Sequence, residues 1–170
     1  KNNDDDMIKY LSGMKDFMLN PKEYSTTGNR EIDGVLNYML QKANKTLNQV
    51  DVQINIPEDI YFNNFNICVI LGNLVDNAVR EASKSEEKLL TIKMQVKQEV
   101  LLIFIENSYS GKILEKKNGL QTTQPELAIH GIGLENVKKV VTANGGEIKI
   151  DYTSNRFCVQ VLLYMSRIKN

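Results

Sequence analysis

The chain has 170 residues, with 21 lysines and arginines balanced by 21 aspartates and glutamates, the size of one ordinary domain with a short appendage. Zero net charge, with no basic block beyond Lys116-Lys117 and Lys138-Lys139, argues against nucleic acid as a partner. No apolar run approaches the ~20 residues of a membrane span, and Cys68 and Cys158 lack His or Cys neighbours at metal spacing, so buried reduced thiols are expected.

Met7, Leu11, Met14 and Met18 carry the rhythm of a helix packed on another helix, with Asp4 to Asp6 placed to cap it, which predicts a connecting helix over 1–20. Asn20-Pro21 breaks it and separates it from the main domain, 21–170. Because the chain opens with Lys1 rather than methionine, the expectation is a piece of a longer protein, with anything membrane-bound upstream. Ile32, Val35, Leu36, Met39, Leu40 and Ala43 share one face of a helix predicted over 32–47. Val50, Val52, Ile54 and Ile56 then alternate up to Pro57, the pattern of a half-buried strand.

The next helix, predicted over 63–84, is the most informative. Asn73, Asn77, Arg80 and Lys84 recur at i, i+4, i+7 and i+11 and so form one polar stripe. The stripe runs beside an apolar surface of Ile67, Ile70, Leu71, Leu74, Val75 and Ala78. Carboxamide oxygens suit Mg2+, which prefers hard oxygen ligands, keeps waters and shares itself with substrate phosphates. Arg80, one turn beyond Asn77, is placed to meet a phosphate. The same stripe also fits a solvated helix edge on which Arg80 only pairs with Asp76 or Glu81.

Strands are predicted over 89–96 and 100–105, the second ending in Glu106-Asn107-Ser108-Tyr109-Ser110-Gly111. The polar, lysine-bearing segment 112–129 is too long for an ordinary connection and is a candidate lid. His130-Gly131-Ile132-Gly133-Leu134 then leads into a helix predicted over 134–143, with Leu134, Val137, Val140 and Val141 on one face. Unhindered N–H groups at a helix start make a phosphate site, although the same glycines also fit a merely flexible turn. Neither the dinucleotide fingerprint nor a Gly-x-x-x-x-Gly-Lys-[Ser/Thr] loop is present. Asn144-Gly145-Gly146 stops the helix before strands over 147–151 and 156–163. Three helices and about five strands, mostly in hairpins, predict a two-layer α/β sandwich of the α+β class.

An asparagine helix, a strand ending in polar side chains, a lid and a glycine turn, in that order, resemble the Bergerat-fold (GHKL) ATPases. Within them the likeness is to the ATP-binding catalytic domain of sensor histidine kinases, closest to the peptide-pheromone quorum-sensing receptor type. It covers about residues 25 to 165. The resemblance implies three helices over a mixed, mostly antiparallel sheet, with ATP and Mg2+ as cofactors. Residues 73–78 read as the N-box, in which Asn77 would hold Mg2+ with support from Asn73, and Arg80 would contact phosphate. Residues 107–111 read as a departed first glycine box, in which Asn107 would contact adenine and Gly111 closes the motif. His130, Gly131, Ile132, Gly133 and Leu134 read as the second glycine box, cradling the β- and γ-phosphates, with His130 stabilising charge, shaping the lid or merely capping.

Most of the superfamily has aspartate where Asn107 stands, and glycine where Tyr109 stands. An asparagine oxygen still accepts from an exocyclic amine, and its NH2 also donates. The implied reaction is transfer of the ATP γ-phosphoryl group to a histidine, then relay to a response regulator. His130 is the only histidine, so the acceptor is expected on an upstream dimerisation module, and no residue here reads as a catalytic acid or base. The whole protein is expected to be a homodimer, cytoplasmic in this part and membrane-bound only through an upstream sensor. An anti-sigma-factor-like serine kinase and a degenerate binding module without kinase activity are the alternatives.

Overall fold

The computed structural model describes residues 27–57, 63–110, 113–116, 119–122 and 128–164, with the backbone alone for 113–132. The connecting helix expected over 1–20, and Gly111, lie outside the described residues. The elements are α1 (Arg30–Thr46), β1 (Gln49–Asn55), α2 (Asn64–Lys84), β2 (Leu89–Lys97), β3 (Val100–Ser108), β4 (Ile113–Lys116), β5 (Gly119–Thr122), α3 (Ala128–Ala143), β6 (Glu147–Tyr152) and β7 (Arg156–Tyr164).

Local chemistry accounts for most of these boundaries. Asn29 caps α1, its side chain accepting from the amides of Glu31 and Ile32 at 3.1 and 3.2 Å. Asn63 does the same for α2, accepting from the Asn66 amide at 3.2 Å. Gln98 and Glu99, both at positive φ, close the β2–β3 hairpin in the conformation that matches strand twist. Gly145, at φ +66°, ends α3. At Gly146 an added Cβ would collide with the Leu162 carbonyl, so α3 returns to the sheet through a position only glycine fits.

One five-stranded sheet runs in the order β1-β2-β3-β7-β6, and β4 with β5 forms a separate two-stranded ladder. β1 lies parallel to β2, with α2 as the crossover, and every other neighbouring pair is antiparallel. The register places Ile92 opposite Ile105 and Met94 opposite Ile103 on the face covered by helices. There they join Leu36, Leu40, Ile70, Leu71, Leu74, Val75, Val141 and Val161 in one buried core. The other face carries Thr91, Lys93, Gln95 and Glu106, with Leu102, Phe104 and Leu162 half-buried among them. Among the described residues this is the expected α+β sandwich of three helices over five strands.

Three boundaries, and the burial of one cysteine, differ from the sequence reading. β3 runs on to Ser108, which sets Asn107 inside the ladder, opposite Leu90 and Phe157, rather than in a loop. The segment expected as an irregular lid contains the β4–β5 hairpin. α3 begins at Ala128, so the predicted glycine turn forms the helix's first turns. Cys68 is only half-buried while Cys158 is buried, and burial raises the pKa of both thiols, keeping them protonated.

Candidate functional site

The α2 stripe forms as predicted. Asn73 donates through Nδ2 to the Val69 carbonyl at 2.8 Å, and Oδ1 of Asn77 accepts from the Arg80 guanidinium at 2.8 Å. Arg80 also reaches Asp76 at 3.5 Å and Glu81 at 3.7 Å. Lys42 of α1 holds Asp76 at 2.8 Å, and Lys84 approaches Glu81 at 3.4 Å. The two pairs on Asp76 are half-exposed and each worth about 0–1 kcal/mol, so a multiply charged ligand can displace them, whereas Glu81 is buried.

Gly133 fixes how α3 meets this stripe. A Cβ at residue 133 would stand 3.2 Å from Oδ1 of Asn73, tighter than ordinary packing, so glycine is what lets the α3 backbone lie on that amide. The N-terminal end of α3, with its positive dipole, is thereby carried to the same side as Asn73. Only the first four N–H groups of a helix lack internal partners, and with α3 starting at Ala128 the amides of Ile132, Gly133 and Leu134 lie beyond them. The amides of α3 without an internal partner therefore precede Ile132. His130, Gly131 and Ile132 are described by their backbone alone.

The second half of the site is the end of β3. Asn107 is buried, and its Nδ2 donates to the Ser108 carbonyl at 2.8 Å, leaving Oδ1 without a donor among the described residues. Aspartate at 107 would set a carboxylate against that carbonyl, which explains the amide here. Ser108 ties the strand end down: its Oγ lies 2.6 Å from Oγ of Ser85 and accepts from the Leu89 amide at 2.8 Å. Ser85 in turn donates to the Ala82 carbonyl at the end of α2, at 2.8 Å. Ser110 reaches the Lys84 carbonyl at 3.4 Å, so the residues following Asn107 run alongside the C-terminal turn of the stripe helix. Across the sheet end, Glu87 and Arg156 form a two-point pair at 2.6 and 2.9 Å. Chiefly through that hydrogen bonding, Arg156 lowers the Glu87 carboxyl pKa and its own is raised.

Ser85 and Ser108 were not singled out from the sequence. A serine directly after a helix, and another beside Asn107, are the signals that would have found them, but only the sheet register shows that they meet. Among the described residues no group of three His, Cys, Asp or Glu is placed to hold a metal. A divalent cation here would lean on one neutral amide oxygen, that of Asn77, and take its other ligands from phosphate and water, which fits Mg2+.

A family profile described as the GHKL domain matches residues 62–164. No curated protein sequence matches the chain. Among solved structures, the catalytic domain of histidine kinase ThkA aligns with a TM-score of 0.61 at 19% identity, over 82% of this chain and 93% of that one. The Acinetobacter baumannii histidine kinase AdeS aligns with a TM-score of 0.58 at 17% identity, over 94% of this chain and 77% of that one. The mycobacterial sensor histidine kinase MprB gives 0.55 at 15% identity, over 80% and 94%. At these identities the structural likeness establishes the fold, while the profile spans more than half of the residues, including the α2 stripe and both polar turns. The chain belongs to the GHKL domain family.

Proposed function

We propose that this is the ATP-binding catalytic domain of a two-component sensor histidine kinase. It would transfer the γ-phosphoryl group of Mg·ATP to a histidine on a separate dimerisation module, for relay to a response regulator. The observation that carries the reading is the close seat of Gly133 on Asn73, which brings a helix N-terminal end onto the amide and arginine stripe of α2. That seat joins a positive dipole, a guanidinium and a hard-oxygen metal ligand on one surface, the equipment phosphoryl transfer needs.

In this reading Asn77 holds Mg2+ and Asn73 supports α3. Bound Mg2+ would neutralise charge between the phosphates. Arg80 exchanges Asn77 and Asp76 for phosphate oxygens, and Asn107 accepts the adenine amine on its free Oδ1. His130 and Gly131, in the first turn of α3, offer the phosphate-side amides, while Gly133 seats the helix on Asn73 and Leu134 packs on the core. An amide at 73 accepts no proton from water, so ATP hydrolysis should be slow. Asparagine at 107 supports the pheromone-receptor type, and with it an upstream membrane sensor, a cytoplasmic catalytic part and a homodimer.

Incubation with γ-labelled ATP and the upstream phosphoacceptor helices tests this directly. Acid-labile label should appear on the added module and none on this chain alone. Acid-stable label on a serine or threonine would replace the histidine-kinase reading with the anti-sigma type, and no nucleotide binding at all would leave a binding module.

A further inference from the structure

The residue after β3 carries an unexplained group. Tyr109 is 8% exposed, and its hydroxyl is buried without a hydrogen-bond partner among the described residues. Its position is well held: the backbone amide donates to the Asn155 carbonyl at 2.9 Å, and the ring leans on Phe157 with centroids 6.3 Å apart. Phe157 stands opposite Asn107 in the β3–β7 ladder, on the helix-covered face. Leu101, Ile103, Ile105 and Asn107 alternate onto that face along β3, and Tyr109 is the next residue of the series. Burial, and then the charge of Glu81 on α2, raise the phenol pKa, so the group is a neutral O–H donor at physiological pH and lies beside the stripe helix. Phenylalanine would fill the same space without leaving a donor unsatisfied, so packing does not account for the hydroxyl.

We propose that the Tyr109 hydroxyl is a base-recognition group, donating to a ring nitrogen of the purine whose exocyclic amine is accepted by Oδ1 of Asn107. The proposal rests on the nucleotide reading above and extends it to specificity. The acceptor on Asn107 and the donor on Tyr109, two residues apart on one face, match the neighbouring donor and acceptor on adenine's edge. Tyr109 thus supplies a direct contact from the strand end.

Calorimetric titration of the full chain with Mg·ATP, 1-deaza-ATP and 7-deaza-ATP, for wild type and Tyr109→Phe, decides it. Wild type should bind ATP about threefold to tenfold more tightly than the analogue lacking the contacted nitrogen. Tyr109→Phe should weaken ATP by the same factor, bind that analogue as wild type does, and unfold at an equal or higher temperature. Equal wild-type affinity for all three ligands overturns the proposal without using a variant. So does Tyr109→Phe binding ATP as wild type does, or unfolding at a lower temperature with unchanged binding, which marks a packing role. Wild type that binds none of the three removes the nucleotide reading itself, and with it this proposal, an outcome distinct from uniform binding.

Discussion

The two ends of the candidate site are prepared differently. Along α2, the side chains proposed to meet metal and phosphate already hold one another: Arg80 on Asn77 at 2.8 Å and on Asp76 at 3.5 Å, with Lys42 on Asp76 at 2.8 Å. At the end of β3, Oδ1 of Asn107 and the Tyr109 hydroxyl have no partner among the described residues, although the backbone around them is tightly bonded. A charged ligand at the first end exchanges weak, half-exposed pairs for stronger ones, so binding there should depend on metal and salt. The second end is held beforehand by its backbone bonds and carries the cost of the unmet Tyr109 hydroxyl in the free protein, so it should govern which base is accepted.

The largest expected effect breaks the first end. Asn77→Ala should lower ATP affinity in Mg2+ by about 100-fold, since even a supporting partner of a bound metal is worth up to that much, and should matter little in its absence. Calorimetry with and without the metal reads this, and equal affinity in Mg2+ would take Asn77 out of the metal site.

Next is Asn107→Asp, which replaces the donor facing the Ser108 carbonyl by a buried carboxylate and should destabilise the fold by about 2 kcal/mol near neutral pH. Burial and the carbonyl push that carboxyl's folded pKa above its unfolded value. The fold therefore favours the protonated form, and stability returns as pH falls and is lost as pH rises through the folded pKa. Thermal unfolding across pH should show the loss only on the neutral side. A profile parallel to wild type would mean that the amide proton is not what holds Asn107.

Gly133→Ala sharpens the link between the two ends. The new methyl forces a shift of a few tenths of an ångström against Asn73, so ATP affinity should fall by about threefold while the helix gains up to about 1 kcal/mol of intrinsic propensity. Unchanged affinity would show that the seat of α3 does not set the phosphate geometry. The smallest effect is at Glu87→Gln, beside the β3 end. Arg156 holds Glu87's pKa down, so the pair contributes above the unfolded carboxyl pKa and is lost as pH falls through the folded one. The pair is exposed, so the melting temperature should drop by less than about 2 °C at neutral pH, and the difference should vanish in acid. A difference that persists in acid would point to packing instead of charge.

Much of this was legible beforehand because it is local. The period of Asn73, Asn77, Arg80 and Lys84 fixes a stripe whatever the helix packs on, and alternation of Val50, Val52 and Ile54, or of Leu101, Ile103 and Ile105, fixes which face a strand buries. Asn29 and Asn63 mark helix starts by their own side-chain chemistry. The α+β sandwich follows from those patterns, because three amphipathic helices and a half-polar sheet must cover one another.

What the sequence left open was every choice between partners far apart along the chain. Arg80 could pair locally with Asp76 or Glu81, but only the packing of α1 on α2 brings Lys42 to Asp76 as well, at 2.8 Å. The glycines before Leu134 read as a turn, yet α3 takes them into its first turns with Gly133 against Asn73, because the close seat on α2 outweighs glycine's poor helix propensity. The meeting of Ser85 with Ser108, the amide of Asn107 turned to a neighbouring carbonyl and the stranded hydroxyl of Tyr109 all depend on the register of β3 between β2 and β7. Register is set by burial of a whole face at once, and no single residue's neighbours in sequence encode it.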